Sequence, residues 1–493
     1  MNHSNIVPLS SIARFDTAKP RVSGCSAKGG SKGTSCGTSA GQDDMPEALW
    51  NKIQDHPCYS EDAHHYFARM HIAVAPACNI QCHYCNRKYD CSNESRPGVV
   101  SEKLNAEQAA LKVMAVAAEV PQLSVVGIAG PGDALANAAK TFHTFDMIHA
   151  ALPHVKLCLS TNGLALPDHV EKIASMGIDH VTITINMVDP EVGAQIYPWI
   201  FFRHKRWEGL EAATILHERQ MEGLEALTAK GILVKVNSVL IPGINDKHLV
   251  AVNKAVRSRG AFLHNVMPLI SDPAHGTHFG LTGQRGPTPP ELRAVQDSLG
   301  GDAKLMRHCR QCRADAVGFL GEDRGAEFSL ASLGEVKPYN PKKRDMYLEV
   351  VSQERADRQK AKEMAQTPDN ITETPLLVAI ATKGGGRINQ HFGHATEFQI
   401  FEVTSAGAKF ITHRRTDKYC VGGADDGDAL TTTLAALEGV SAVLCAKIGD
   451  KPKQRLAEAG IIATDQYAFE YIEASAITWY ASREASSDVA ASA

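Results

Sequence analysis

Three cysteines, Cys78, Cys82 and Cys85, stand in the run CNIQCHYC. Three thiolates on one short loop can hold three irons of a [4Fe–4S] cubane and leave the fourth iron open to a chelating ligand. A closed structural zinc site wants four protein ligands, and on that reading Cys91 is the candidate fourth. Further candidate ligands lie nearby in HPC (His56–Cys58), AHH (Ala63–His65) and DCSNE (Asp90–Glu94), and later in CRQC (Cys309–Cys312). A CxxC pair serves as a redox dithiol, a zinc half-site or two ligands to an iron–sulfur cluster. A single-cluster protein leaves Cys58, Cys91, Cys309 and Cys312 without work. Ligands of mixed type therefore suggest clusters held loosely enough to react or leave.

These groups need a scaffold, and the sequence supplies one. From about 66 to 270, apolar β-rich runs at 70–75, 123–129, 155–161, 180–186, 232–241 and 262–269 alternate with helical patterns such as 105–120 and 223–232. That alternation predicts an α/β fold with a parallel sheet covered by helices, closed or partly closed as a barrel. In such folds chemistry gathers beyond the carboxyl ends of the strands. Gly130, Gly132 and Asp133 follow one strand run, Ser160, Thr161 and Asn162 end the next, Asn186 ends a third and Asn237 lies in a fourth. Each alone reads equally well as a turn-former or a satisfied strand residue. Together, behind a CxxxCxxC loop, they argue for a ligand site, with the Gly130 and Gly132 backbone open to close approach.

The boundaries follow from composition. Residues 1–48 form a Gly/Ser-rich tail expected to be disordered, in which Cys25 and Cys36 are incidental thiols. The first domain spans 49–335, a charged linker 336–374, a second compact α/β domain 375–478 and a frayed tail 479–493. In the second domain, strands are expected at 375–382, 397–403, 408–413 and 440–446, with helices at 428–438 and 453–460. Its His391 and His394 are candidate metal holders or solvated loop histidines, and Cys420 is a third candidate. Cys158 and Cys445, inside apolar runs, read as buried core thiols. The formal net charge of −4 gives no overall footprint for nucleic acid or an anionic membrane. No apolar run approaches a membrane span, no signal pattern opens the chain, and twelve cysteines, seven of them in or beside tight groups, fit metal binding in a cytoplasmic setting.

The CxxxCxxC spacing and the aromatic Tyr84 before the last cysteine resemble the signature of the radical S-adenosylmethionine (SAM) superfamily. The stretch 56–98, with AGPGDAL, STNG, TITIN, VLIPGIND and CRQCRADAVG in order, is similar to the nitrogenase cofactor-biosynthesis (NifB) family over about residues 50–335. Residues 375–475, with GGRINQHFGHA, resemble the dinitrogenase iron–molybdenum cofactor-binding (NifX-like) domain. The resemblance implies a partial or open TIM-type (β/α) barrel followed by a ribonuclease H-like domain. It also implies a maturase that fuses two [4Fe–4S] clusters and inserts a SAM-derived carbide to make an 8Fe precursor. On that resemblance Cys78, Cys82 and Cys85 bind the SAM cluster. Tyr84, Gly130, Gly132, Asp133, Ser160, Thr161, Asn162, Asn186 and Asn237 contact SAM. Cys58, Cys309 and Cys312 hold one substrate cluster, and His64 (or the adjacent His65), Cys91 and Glu94 hold the other. The implied partners are iron–sulfur donor proteins, cofactor carrier and scaffold proteins, and a ferredoxin- or flavodoxin-type reductant. Rival readings are another multi-cluster radical-SAM enzyme, such as a molybdopterin-precursor cyclase, and a non-catalytic cluster carrier.

Overall fold

A computed structural model describes residues 46–89, 91, 100–299, 312–334, 336–367, 374–416, 420–421, 424–425 and 427–491. The chain divides into two compact units, Met1–Pro341 and Lys342–Ala493. Glu94 and Cys309, like Cys25 and Cys36, lie outside the described residues.

The strands of the first unit are β1 (Ala68–His71), β2 (Ile80–Gln81), β3 (Leu123–Ile128), β4 (Lys156–Thr161), β5 (His180–Thr184), β6 (Trp199–Phe202), β7 (Lys205–Glu208), β8 (Leu233–Leu240), β9 (Leu263–Pro268) and β10 (Val317–Gly318). Seven of them make one sheet in the order β10-β1-β3-β4-β5-β8-β9. All pairs in it are parallel except β10 on β1. β9 and β10 are its two edges, so the sheet is an open, partial barrel of the radical-SAM type.

Side chains alternate across each strand, and here the alternation separates two environments. Met70, Val126, Leu157, Leu159, Val181, Ile183, Val234 and Val236 pack in one core with Val113, Val116, Phe145, Leu224 and Val252 of the covering helices. The intervening positions, among them Arg69, His71, Cys158, Ser160, His180, Thr182, Lys235 and Asn237, form the opposite face. That face is polar, which is unusual for parallel strands with both faces covered. It marks the cavity side of the half-barrel.

Local signals place the helices. Asn105 caps Ala106–Glu119 in a capping box with Gln108, as the apolar spacing predicts. The long helix Gly209–Ala229 begins well before the expected 223, because its apolar side chains face two cores at once. β2, β6 and β7 form a separate antiparallel sheet. β2 lies inside the cysteine loop, between Cys78 and Cys82, so this hairpin is stitched directly to the loop.

The second unit holds β11 (Leu376–Ile380), β12 (Glu397–Thr404), β13 (Gly407–Arg415), the short pair β14 (Cys420–Val421) and β15 (Ala424–Asp425), β16 (Ala442–Leu444) and β17 (Ile462–Thr464). Its main sheet runs β13-β12-β11-β16-β17, antiparallel on one side of β11 and parallel on the other. Two segments differ from expectation. Within the charged stretch read as a linker, Pro341–Ala365 is one helix belonging to this unit. Its Arg358 pairs with Glu473 on a later helix, and its Glu354 meets Arg387 at 2.9 Å. The stretch read as a frayed tail continues the helix Ile472–Ala491, with Trp479 and Tyr480 buried against the sheet. Among the described residues, no helix is long and apolar enough to cross a membrane.

Candidate functional site

The cysteine loop leaves the sheet just beyond β1 and is rooted in apolar packing. Cys82 and Tyr84 are buried with Ile80, Met187, Ile196, Ile200, Leu216 and Val239, and Cys78 and Cys85 pack at the margin of that cluster. Burial pushes the Cys78 thiol up to about 12, and the Asp133 carboxylate adds to the shift. Cys82 is likewise held far above the ordinary thiol range by burial and then by Cys85 and Cys78. Of the ionised neighbours shifting these two thiols, only Arg87 works in the opposite direction. Three thiols in an apolar seat with so little compensating cation fit a group that brings its own positive charge, as an iron–sulfur cluster does. Reconstitution of the cluster should therefore release protons from the thiols, up to about three per cluster beyond those of the added hydrosulfide, and proceed faster at pH 8.5 than at pH 7. A pH-stat titration during anaerobic iron and sulfide addition measures both. Release of no protons beyond those of the added hydrosulfide would mean that the thiols are already ionised.

The strand-end residues prove to be the frame of this loop. Gly132 lies so close to it that an added Cβ would stand 2.1 Å from the Ala77 carbonyl oxygen. The Gly132 and Asp133 amides donate to the Ala75 and Ala77 carbonyls at 2.7 and 2.8 Å. Asp133 is buried and accepts from the amides of Leu135, Ala136 and Asn162 and from the Thr161 hydroxyl. Burial nonetheless raises its pKa. Asn162 carries the chain onward: its Nδ2 donates to Asn79 Oδ1 at 2.7 Å and to Cys78 Sγ at 3.7 Å. Gly163 adopts φ +88°, and an added Cβ there would stand 2.8 Å from Gln220 Cγ. Gln220 in turn donates to the carbonyls of Asn162 and Thr184.

Asn186 tells the same story at the end of β5. Its Nδ2 donates to the hydroxyls of Tyr84 (2.7 Å) and Tyr197 (2.8 Å), and its Oδ1 accepts from the Val239 amide. It holds the aromatic side chain of the cysteine loop against the sheet. Asn237 accepts from Asn265 at 3.0 Å on the polar face, and Ser160 stands on that face half-exposed. Tyr197, Gln220, Asn245, Asn79 and Arg69 are parts of this frame that motif reading missed. A cation at the head of an apolar run was the available signal for Arg69.

The spare ligands distribute along the polar face. Cys312 lies beside β1, where the buried Arg69 donates from Nε to its sulfur at 3.2 Å. Cys58 packs at the amino ends of β8 and β9 with Tyr59, Leu233 and Phe262, and its amide donates to His56 Nδ1. His64 and His65, with rings 3.9 Å apart, occupy a single turn just before β1. Cys91 lies at the other end of the strands: a Cβ at Gly130 would be 3.7 Å from its Cβ and 3.4 Å from that of Ala314. The structure thus sets Cys91 near the Cys312 segment, and sets His64 and Cys91 toward opposite ends of β1. Cys158 is not a core thiol: alternation puts it on the polar face, half-exposed beside His180 and Gly127. Cys445 is buried as expected, and burial raises it to about 12. Among the described residues no three His, Cys, Asp or Glu side chains converge to hold a single ion. In the second unit, the His391 and His394 rings lie 4.7 Å apart, and burial followed by His394 lowers the His391 pKa. The side chain of Cys420 lies outside the described residues.

The comparisons with known proteins identify the family. Residues 72–256 match the Radical SAM superfamily, and residues 374–481 match the family described as dinitrogenase iron-molybdenum cofactor. FeMo cofactor biosynthesis protein NifB of Sinorhizobium fredii is 61% identical over 471 residues, covering 95% of each chain. That of Herbaspirillum seropedicae is also 61% identical, over 97% of this chain and 93% of its own. The Azotobacter vinelandii protein is 55% identical over 92% and 93%. The chain is a radical-SAM enzyme and belongs to the NifB family of FeMo cofactor biosynthesis proteins.

Proposed function

We propose that the chain fuses two [4Fe–4S] clusters and inserts a carbon derived from SAM, producing the 8Fe precursor of the iron–molybdenum cofactor. The observation that carries this reading is the continuity of the site. The buried thiol loop is joined through Asn162 and Asp133 to Thr161 at the end of β4, next to Ser160 of the polar sheet face, and Cys312 stands on that face against a buried arginine.

Cys78, Cys82 and Cys85 would hold a [4Fe–4S] cluster, which would supply one-electron chemistry toward SAM. The protein's residues do the rest by position. Asn162 and Asn79 fix the orientation of the Cys78 side, and Asn186 fixes Tyr84, whose backbone then lies ready for the adenine. Ser160 and Asn237 present polar groups from the face itself. The apolar packing around Cys82 excludes water, which preserves a radical long enough to abstract hydrogen from a SAM-derived methyl group on the substrate. Cys58, Cys309 and Cys312 are assigned to one substrate cluster, with Arg69 donating to the Cys312 sulfur. The family pattern gives Cys91 and Glu94, with His64 or His65, to the other. The histidine pair His391 and His394 of the second unit is suited to holding iron in transit. Iron–sulfur donor proteins, nitrogenase cofactor carriers and a low-potential reductant are the partners this work requires.

Anaerobic reconstitution should load about twelve irons per chain, as three cubanes of four. With SAM and reductant, S-adenosylhomocysteine and 5′-deoxyadenosine should both appear. Cys312→Ala should block formation of the 8Fe product while sparing the SAM cluster. Formation of 5′-deoxyadenosine alone, with an organic product, would point to a different radical-SAM reaction. Neither product would leave a carrier.

A further inference from the structure

The structure assigns a docking platform for a small acidic one-electron carrier protein to the β6–β7 hairpin, which would deliver the reducing electron to the cluster held by Cys78, Cys82 and Cys85. The inference rests on the radical-SAM reading of that loop and adds where, and from what, its electron comes.

The hairpin is part of the cluster loop's own structure. Ile80 and Gln81 pair with Ile200 and Trp199, the Phe201 amide donates to the Asn79 carbonyl at 2.7 Å, and the His83 amide donates to the Ile196 carbonyl at 2.9 Å. Its inner side, Ile200 with Phe202 and Trp207, packs in the same apolar cluster as the three cysteines. Its outer side is made of Trp199, Phe201 and Arg206, with Phe201 50% exposed. Aromatic residues and arginine are the types enriched where proteins dock.

The charge is one-sided. Arg203, His204, Lys205 and Arg206 are all exposed, against Glu208 alone in β7, and Arg87 and Lys88 of the cluster loop are exposed as well. A chain with a formal net charge of −4 has thus gathered cations beside its redox loop. Such a patch steers an acidic partner and speeds its docking.

The turn adds an independent observation. Arg203 and His204 occupy the left-handed region, at φ 51° and 60°. A two-residue hairpin of this kind normally takes Asn-Gly, because side chains larger than those are strained there. An arginine and a histidine in place of Asn-Gly at these positions are retained at a cost in stability, a pattern associated with functional segments.

In the step proposed, the reduced carrier loses one electron and the loop's cluster gains it. No atom is transferred. The test uses the full, cluster-loaded chain with reduced flavodoxin as the probe. Charge reversal at Arg203→Glu, Lys205→Glu and Arg206→Glu should weaken flavodoxin binding at least tenfold by calorimetry and flatten its salt dependence. Electron uptake from flavodoxin hydroquinone, followed by stopped-flow absorbance, should slow to the same degree, while 5′-deoxyadenosine formation driven by dithionite is unchanged. Arg203→Asn with His204→Gly should raise the melting temperature yet weaken binding at least threefold. Unchanged flavodoxin affinity in either variant overturns the assignment, as does wild-type protein that binds anionic vesicles but no flavodoxin. Absence of 5′-deoxyadenosine from wild type with dithionite would overturn the radical-SAM reading beneath it, which is a separate result.

Discussion

Gly132→Ala should leave the chain able to fold but unable to hold its SAM cluster. The added Cβ would meet the Ala77 carbonyl oxygen at 2.1 Å, its carbon at 2.6 Å and the Pro76 oxygen at 2.7 Å. All three are backbone atoms, so no side chain can swing away. Either the Gly130–Asp133 turn or the segment leading into Cys78 must move. Moving the turn disturbs Asp133, which accepts four hydrogen bonds from a buried position, and through Asn162 it disturbs the Cys78 sulfur. Forced overpacking typically costs about 1–3 kcal/mol, and loosening a buried carboxylate adds to that. Iron after reconstitution should fall by about four per chain, and 5′-deoxyadenosine formation should fall with it. Gly243→Ala is the control: its Cβ meets nothing within 4 Å, although the residue has φ +80°. It should lose some stability to backbone strain and keep its iron. If the Gly132 variant retained full iron, the contact with Ala77 would not be what seats the loop.

The second large effect is acid sensitivity. His56, His180 and His264 are buried in the first unit, with 0%, 0% and 2% exposure. Burial lowers all three, the first two further through His180 on His56 and Lys156 on His180, and His264 to about 4. The unfolded chain titrates near the ordinary histidine value of about 6.5. A depressed folded value means that the unfolded state binds the proton first. Stability is therefore intact above about pH 6.5 and lost as pH falls toward 4. For His264 alone the loss over that range is about 3 kcal/mol, of which about 2 kcal/mol is lost by pH 5. His264→Gln in the metal-free chain should cut the first unit's pH 7.5-to-5 loss of denaturant stability by that amount. An unchanged difference would show that His264 is protonated in the fold.

Much of the fold was legible because the sheet strands are near-continuous apolar runs. The expected runs at 123–129, 180–186 and 232–241 overlie β3, β5 and β8. The hairpin was not legible, and its turn explains why. The run PWIFFRHKRWEG lacks the glycine or asparagine that announces a two-residue turn, since Arg203 and His204 take the left-handed positions instead. The half-barrel's polar face was hidden for another reason. Cys158 and His180 sit in VKLCLST and HVTITIN, which alternate polar with apolar residues without saying which side faces the helices, and the register Cys158 opposite His180 shows that both look away from them. Asn186 was singled out as a ligand contact. Its three hydrogen bonds show it bracing Tyr84, a role that depends on Tyr197 and Val239 and that no local motif encodes.

The helix Pro341–Ala365 has a practical consequence for where this chain can be cut. Glu473 is buried, and against the cost of that burial the Arg358 guanidinium keeps its carboxyl below the ordinary range. Arg387 is likewise held by Glu354 and stacks over Tyr471 at 4.0 Å. A fragment begun at the apparent end of the charged stretch, near residue 374, would strand Glu473 as an uncompensated anion and leave Arg387 without its carboxylate. The natural seam lies some thirty residues earlier, just before Pro341. A segment that composition marks as a tether is in fact the first piece of the module it introduces, and grafts, fusions or excisions of that module should carry it along.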